Sequence, residues 1–536
     1  MDIEEFRKAG YAAIDQICDY YQTLNQRPVK SEVKPGYLLE QLPTSPPAKG
    51  QPFNEIAADF QARIMPGITH WQHQKWFGYF PSVVTFESIL GDLYSSSVTN
   101  PGFNWSCSPA CTELEQVVTD WMVEVLGLDP VFRTSGGKGG GIIGNSASES
   151  CLTAAIAARE RALRYLASQE SKTLNGLGHD GAAGHVTQSG TATPQTAGGP
   201  TAVPLSVREK HTKNLVMYVS TQTHSVGSKA ALILGMQCRA LPVHAPDYSF
   251  RGDVLRKAIE EDVKNGYIPF FVVGTVGSTS SGAVDHIAEL GEDYPTAFLH
   301  VDAAWAGVAY ALPEQRKPLR LDEVNKYADS FCTNMHKWGL VGFDCSLFFV
   351  RDRRDLTEAL DITPGANIQA YLRTKEGDSG AVIDYRNWQL ALGRRFRSIK
   401  LWFVLRGYGV EGLQAHLRNG IEYCEQLTTL VKRNASFEIV APPILGLLDF
   451  RLITDPKAED PELNALNAEL MDRLNSRPEV MLTQTVLKSV ESEVYCIRFA
   501  IGAQKTTWED VEEIWHVVEQ EGAKLLGEWK QKQVAN

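Results

Sequence analysis

A succession of short apolar runs separated by helical stretches constrains this sequence more than any other feature. The runs are Leu215–Val219, Phe270–Thr275, Ala297–Asp302, Ser330–Asn334 and Ser346–Arg351, and several close on a polar residue. Upstream, helices are expected over 110–127 and 146–169. Strands alternating with helices predict an α/β architecture, a largely parallel sheet covered by helices. Between the second helix and the first run lies 171–208, rich in Gly, Ser, Thr, Ala and Pro, which reads as a flexible surface insertion.

The flanking regions follow other patterns. Phe6, Ala9, Ala13, Ile17, Tyr20 and Leu24 recur at helical spacing over 2–25, and Pro28, Pro35-Gly36 and Pro43 to Pro47 turn the following chain into an extended arm. A helix near 386–407 leads into a mixed C-terminal region with strands expected at Phe437–Val440, Gly446–Leu452 and Val494–Phe499. At 536 residues the chain exceeds one ordinary core.

Bulk properties exclude several classes of function. A formal net charge of −12 opposes nucleic-acid or anionic-membrane binding. The one dense basic cluster, Arg394-Arg395-Phe396-Arg397, reads as an internal ion-pair site. No window has the apolar length of a membrane span, and Met-Asp-Ile-Glu-Glu-Phe-Arg lacks a signal-peptide core, so a cytoplasmic location is expected. Nine scattered cysteines do not form a disulfide framework. Cys107 and Cys111 lack a second ligand pair, so no metal site is expected.

Three motifs carry chemistry. In Asn334-Met335-His336-Lys337-Trp338, a lysine sits at the end of an apolar strand, where burial would lower its pKa and free the amine to attack a carbonyl. Alone, it fits a snorkelling surface side chain as well. In His300-Val301-Asp302-Ala303-Ala304-Trp305, a carboxylate closes another strand and needs a positive partner, while Ala303 and Ala304 let a flat ring approach. Alone, that Asp could be a helix cap. The run from Gly139 through Gly144-Asn145-Ser146-Ala147-Ser148 leads into an alanine-rich helix and offers a phosphate cradle at a helix start. It is not a P-loop, since no Gly-Lys-Ser/Thr closes it. His224 and Thr275 follow strands of the same expected sheet, and each by itself fits a structural role.

Together these residues resemble the group II pyridoxal-phosphate (PLP) decarboxylases, and most closely the aromatic-L-amino-acid decarboxylases. The likeness runs from about residue 2 to 525 and includes Trp71, Phe77-Gly78-Tyr79-Phe80-Pro81, Ser108 to Glu115, His300 to Ala304, His336-Lys337-Trp338 and Asp384-Tyr385-Arg386 through Arg397. The resemblance implies the PLP-dependent transferase type I fold, with a large, mostly parallel seven-stranded sheet domain and a small C-terminal α+β domain. It divides the chain into 1–100, a helical segment embracing a partner; 101–395, the PLP-binding domain with the 171–208 insertion and a catalytic loop at 364–384; and 396–536, the small domain. It further implies a homodimer.

The family roles transfer by position. Lys337 would hold the cofactor as a Schiff base and Asp302 would pair with its pyridine nitrogen. His224 would stack on the ring opposite Ala304. Ala147, Ser148, Asn334 and His336 would hold the phosphate or position the lysine, with Thr275 beside the cofactor. Trp71, Tyr79, Phe80, Pro81 and Ser82, with Phe103 from the partner, would form the substrate pocket, suited to a flat apolar side chain. Tyr371 matches the tyrosine of the mobile loop and would protonate Cα after carbon dioxide leaves. Relatives with Phe there tend toward aldehyde formation; Tyr favours the amine. Gly393 occupies a position where plant relatives carry Gly with indolic and Ser with phenolic substrates, which puts tryptophan ahead of phenylalanine, tyrosine and DOPA. Met335 departs from the usual Pro or Ala, and 171–208 is longer than the family norm. The alternative activity is an aromatic aldehyde synthase, which couples decarboxylation to oxidative deamination.

Overall fold

The computed structural model describes residues 1–176, 203–292, 294, 296–360 and 372–535. Its contacts divide the chain into two units: Thr85–Gln414 with Lys488–Glu491, and Met1–Val84 with Ala415–Leu487 and Ser492–Asn536.

The first unit carries a seven-stranded sheet. Its strands are β1 (Gly140–Gly144), β2 (Leu215–Ser220), β3 (Gln237–Leu241), β4 (Ile268–Thr275), β5 (Phe298–Asp302), β6 (Ser330–Asn334) and β7 (Ser346–Val350), in the order β1-β7-β6-β5-β4-β2-β3. β3, β2, β4, β5 and β6 run parallel, and β7 is antiparallel to both β6 and β1. The reversal follows from the linker: the chain between Asn334 and Ser346 is too short for a parallel crossover. All residues of β2, β5, β6 and β7 are buried, as expected for strands covered on both faces. β3 is a partly exposed edge strand containing Gln237 and Arg239, without an apolar signature.

The glycine run leading into the alanine-rich helix is itself a strand, β1. A Cβ on Gly140 would stand 2.7 Å from the Trp388 ring, and one on Gly141 would stand 2.7 Å from the Phe349 ring and 2.8 Å from Thr119 Cβ. Glycine is needed here because neighbouring side chains approach the strand too closely for any other residue. The turn that follows is short: Ser146 Oγ accepts from the Glu149 N–H, and Glu149 accepts from the Asn145 N–H, a reciprocal cap. It opens the helix Ala147–Gly176, whose buried Ala154, Ala155, Ala157 and Ala158 share a core with Met217, Phe271 and Phe298. The second early helix spans Pro109–Leu126, capped by Ser108 and ended by Gly127 at φ 68°. Of the 171–208 insertion, the described flanks are helical, through Gly176 and over Leu205–His211; the rest lies outside the described residues.

The helix expected over 386–407 begins later. Tyr385–Trp388 is a single 3-10 turn, and the helix runs over Arg397–Arg433 with a break at Gly409, φ 65°. The arginines between them are engaged in ion pairs. Arg394 meets Glu115 at 2.6 Å with both side chains 1% exposed, while Arg395 and Arg397 share Asp344.

The second unit carries a four-stranded sheet, ordered β10-β11-β9-β8, from β8 (Phe437–Ile439), β9 (Leu447–Leu452), β10 (Thr483–Lys488) and β11 (Glu493–Ala500). Helices Asp460–Asn475 and Trp508–Ala535 contribute to its core, where Phe437 and Phe450 meet Trp515 edge-on at 5.0 and 5.4 Å. β10 mixes buried and exposed residues with Gln and Lys on the wet side, so its run is not apolar. Phe77 is stitched to this sheet region: its N–H donates to the Met481 carbonyl and its carbonyl accepts from the Ala500 N–H. The amino-terminal helix, Ile3–Thr23, buries no residue in the chain.

Candidate active site

The carboxyl ends of the parallel strands converge on a cavity of about 250 Å³. β4 ends at Thr275, β5 at Asp302 and β6 at Asn334, and all three line it. Ligand sites in open α/β sheets form at such strand ends. The single helical turn Met335–Trp338, directly after β6, brings Lys337 to the same wall. Ser146, Ala147 and Ser148 reach it from the start of a 30-residue helix, whose N-terminus favours an anion. His224 and Ala304, also expected from the sequence, line it as well.

The polar groups of this wall are arranged for a guest. Asp302 is 4% exposed, and its Oδ1 accepts from the Ala304 N–H at 3.0 Å. Thr275 Oγ1 and Asn334 Oδ1 are buried without a hydrogen-bond partner, a cost that a bound polar molecule would offset. His224 keeps an exposed edge, yet surrounding protein desolvates it and holds its pKa below the ordinary value; Asp302 opposes that shift and Lys337 adds to it. Thr275 is braced from behind, since Asp285 accepts from the Thr275 N–H at 2.7 Å and from the Phe250 N–H at 2.8 Å.

His336 does not line the cavity. It is 4% exposed, its Nδ1 accepts from the Cys345 N–H at 2.9 Å, and burial pushes its pKa down to about 4 with Lys337 reinforcing the shift. It therefore buttresses the turn that carries Lys337. Met335, the departure from the family pattern, is fully buried in that turn.

Sequence reading missed Thr279, Gly277, Val226 and Trp305 as cavity residues. The hydroxyl cluster Ser278-Thr279-Ser280-Ser281 just after β4 was the available signal for Thr279. Gly277, at φ 78°, has no room for a side chain, since a Cβ would stand 2.4 Å from Ala306 Cβ.

The expected pocket residues fall in two places. Trp71, Tyr79, Phe80, Pro81 and Ser82 belong to the second unit. There Trp71 stacks with Tyr79 at 5.6 Å and lies 4.2 Å from the Trp76 ring, forming an aromatic platform. Arg498 stands 4.9 Å over Phe80, and the Ser82 carbonyl accepts from Gln72. Phe103 and Gly393 belong to the first unit and do not line the cavity. They lie on adjacent backbone segments: the Arg394 N–H donates to the Pro101 carbonyl at 2.6 Å, and the Arg386 N–H to the Phe103 carbonyl at 3.1 Å. Gly393 is exposed, with nothing within 4 Å of where a Cβ would be. Tyr371 lies outside the described residues.

An amine, a carboxylate, a helix start and two buried unpartnered polar atoms on one cavity wall fit PLP. Residues 35–177 and 202–453 match the pyridoxal-dependent decarboxylase conserved domain. A phenylacetaldehyde synthase of Arabidopsis thaliana is 39% identical over 98% of this chain and 97% of its own. An aromatic-L-amino-acid decarboxylase of Rattus norvegicus is 38% identical over 98% and 99%. The crystal structure of Oryza sativa TDC with PLP and tryptamine superposes with a TM-score of 0.85 at 32% identity, covering 98% of this chain and 99% of that one. With a cavity furnished for the cofactor and relatives matched from end to end, the chain belongs to the pyridoxal-dependent decarboxylases, among the aromatic-amino-acid lyases that use pyridoxal phosphate.

Proposed function

We propose that this enzyme decarboxylates an aromatic L-amino acid, tryptophan first, to the aromatic amine and carbon dioxide. The observation that carries the reading is one cavity whose wall holds both Lys337 and Asp302. PLP, when bound, supplies an electron-withdrawing ring that accepts the electron pair freed as the Cα–carboxylate bond breaks.

The chain's own residues do the rest. Lys337 would hold the cofactor through its amine, and Asp302 would face the ring nitrogen and retain its proton. His224 would cover the ring opposite Ala304 and meet the substrate carboxylate. Ala147, Ser148 and Asn334 would take the phosphate, Thr275 would lie beside the cofactor, and His336 would fix the lysine's turn. Trp71, Tyr79, Phe80, Pro81 and Ser82 would bind the aromatic ring and exclude water. Tyr371, on the loop at 364–384, would deliver a phenolic proton to Cα. Tryptophan is favoured because Gly393 leaves space where a serine hydroxyl would serve a phenolic substrate.

We further propose a cytoplasmic homodimer in which residues 1–100 embrace the partner. Helix Ile3–Thr23 leaves Ile3, Phe6, Tyr11 and Ile14 exposed, and Phe86–Ser97 leaves Phe86, Leu90, Leu93 and Tyr94 exposed, which supports a covering surface. If Phe103 reaches the partner's site, its neighbour Gly393 goes with it. Among the described residues no helix is long and apolar enough to cross a membrane.

One observation favours a second reading, aldehyde synthesis: the Arabidopsis relative named phenylacetaldehyde synthase. Incubating the enzyme with tryptophan, phenylalanine, tyrosine and DOPA, and measuring amine against aldehyde, ammonia and peroxide, separates the two. Amine should dominate, and Tyr371→Phe should shift product toward aldehyde; aldehyde from the unmodified enzyme would overturn the first reading. Lys337→Ala should lose both the cofactor's visible absorption band and carbon dioxide release.

A further inference from the structure

Behind the cavity, four polar side chains form a line in the sheet that ends on Asp302. The parallel register of β5 and β6 sets His300 opposite Ser330 and Asp302 opposite Cys332. His300, Ser330 and Cys332 are fully buried, and Asp302 is 4% exposed. Ser330 Oγ lies 2.8 Å from His300 Nδ1; Cys332 Sγ lies 3.7 Å from His300 Nε2 and 3.7 Å from Asp302 Oδ1. The Phe271 and Phe348 rings, each 6.1 Å from the imidazole, keep its surroundings apolar.

Elementary donor and acceptor rules give this line a direction. A carboxylate only accepts, so the Cys332 thiol donates to Asp302. Burial keeps that thiol protonated, pushing its pKa well above the ordinary value, with the Asp302 charge adding to the shift. Burial also pushes the His300 pKa down to about 4, so its ring is neutral and has one N–H to give. With the thiol proton committed, the sulfur accepts from His300 Nε2–H, which leaves Nδ1 to accept from the Ser330 hydroxyl. Such aligned bonds polarise one another in a low-dielectric core.

We propose that Cys332, His300 and Ser330 are positioning residues for the cofactor, a directed hydrogen-bond chain that fixes the Asp302 carboxylate so that it holds the ring nitrogen of PLP. This rests on the reading that Asp302 faces that nitrogen. The chain acts on cofactor retention, with no contact to the substrate.

The test is PLP release from the holoenzyme into an excess of a PLP-scavenging protein, followed by loss of the visible band. Cys332→Val fills the space without a donor and should release PLP about tenfold faster, while Cys332→Ser keeps a donor and should stay within about twofold of wild type. In an Asp302→Asn background, Cys332→Val should add nothing, because the charged acceptor is gone. Wild-type release from Cys332→Val, release from Cys332→Ser as fast as from Cys332→Val, or a full effect in the Asp302→Asn background would each overturn the proposal. Wild-type release from Asp302→Asn alone would instead remove the Asp302 reading and the chain with it. Should Cys332→Val not fold, Ser330→Ala takes its place: about twofold faster release is expected, and unchanged release rejects the chain.

Discussion

Replacing Glu115 with alanine would isolate one partner of a deeply enclosed ion pair, and the structure gives the size of the effect. Glu115 Oε1 accepts from Arg394 Nη2 at 2.6 Å and from the Ile143 N–H at 2.8 Å, and Oε2 accepts from Arg394 Nη1 at 3.0 Å. Both side chains are 1% exposed, so solvent does not replace what is lost. Removing one partner of a buried pair costs about 3–5 kcal/mol. The orphaned Ile143 N–H adds to this, since an unmade buried bond costs about 1–3 kcal/mol. We expect Glu115→Ala to destabilise the first unit by about 4 kcal/mol or more. Glu115→Gln keeps the acceptor for Ile143 and should cost somewhat less. Glu115→Leu with Arg394→Met removes both charges and should recover most of the loss. The assay is urea unfolding followed by far-UV circular dichroism, reading the transition of the larger unit and checking the m-value. A cost under about 1 kcal/mol for Glu115→Ala, or a double variant no better than the single, would refute the reasoning.

Further expectations follow from the same structure. Burial holds His300 and His336 at a pKa of about 4, below the 6.5 of the unfolded chain, so their stabilisation is fully present above pH 6.5 and lost as pH falls toward 4. Each should cost about 2 kcal/mol at pH 5, and His336→Asn, which keeps an acceptor for Cys345, should flatten the fall; an unchanged slope of stability against pH would reject this. Gly141→Ala should destabilise by about 1–3 kcal/mol through overpacking against Phe349 and Thr119, whereas helical Gly10→Ala, with open space around it, should be neutral or better; equal melting temperatures would count against the packing argument. Gly393→Ser should fold normally and move the kcat/KM ratio of tyrosine over tryptophan up by about tenfold, and an unmoved ratio would detach that position from specificity.

The parts of the fold legible in sequence are those whose burial leaves a one-dimensional trace. β2, β4, β5, β6 and β7 are apolar runs because both faces are covered, and each is recognisable within a residue or two. β3 and β10 are invisible because an edge strand or a half-wet strand needs no apolar run. β1 escapes for a different reason. Its glycines are set by the Trp388 and Phe349 rings that crowd them, and a local reading sees only turn-formers. The cavity is legible because strand ends put Thr275, Asp302 and Asn334 side by side once the sheet is assumed. Gly277 and Val226 are not, since their part in it comes from packing between segments far apart in the chain. The direction of the Ser330–His300–Cys332–Asp302 line needs the register of β5 against β6, which no motif encodes.

The backbone stitches between Phe77 and both Met481 and Ala500 have a consequence for biosynthesis. During synthesis the aromatic stretch from Trp71 to Ser82 emerges long before its partners at Met481 and Ala500. Until those partners are made, its aromatic side chains lack the seat they have in the fold. A chain cut short before β11 would keep the Met481 stitch and lose the Ala500 one, leaving the aromatic stretch held on one side only.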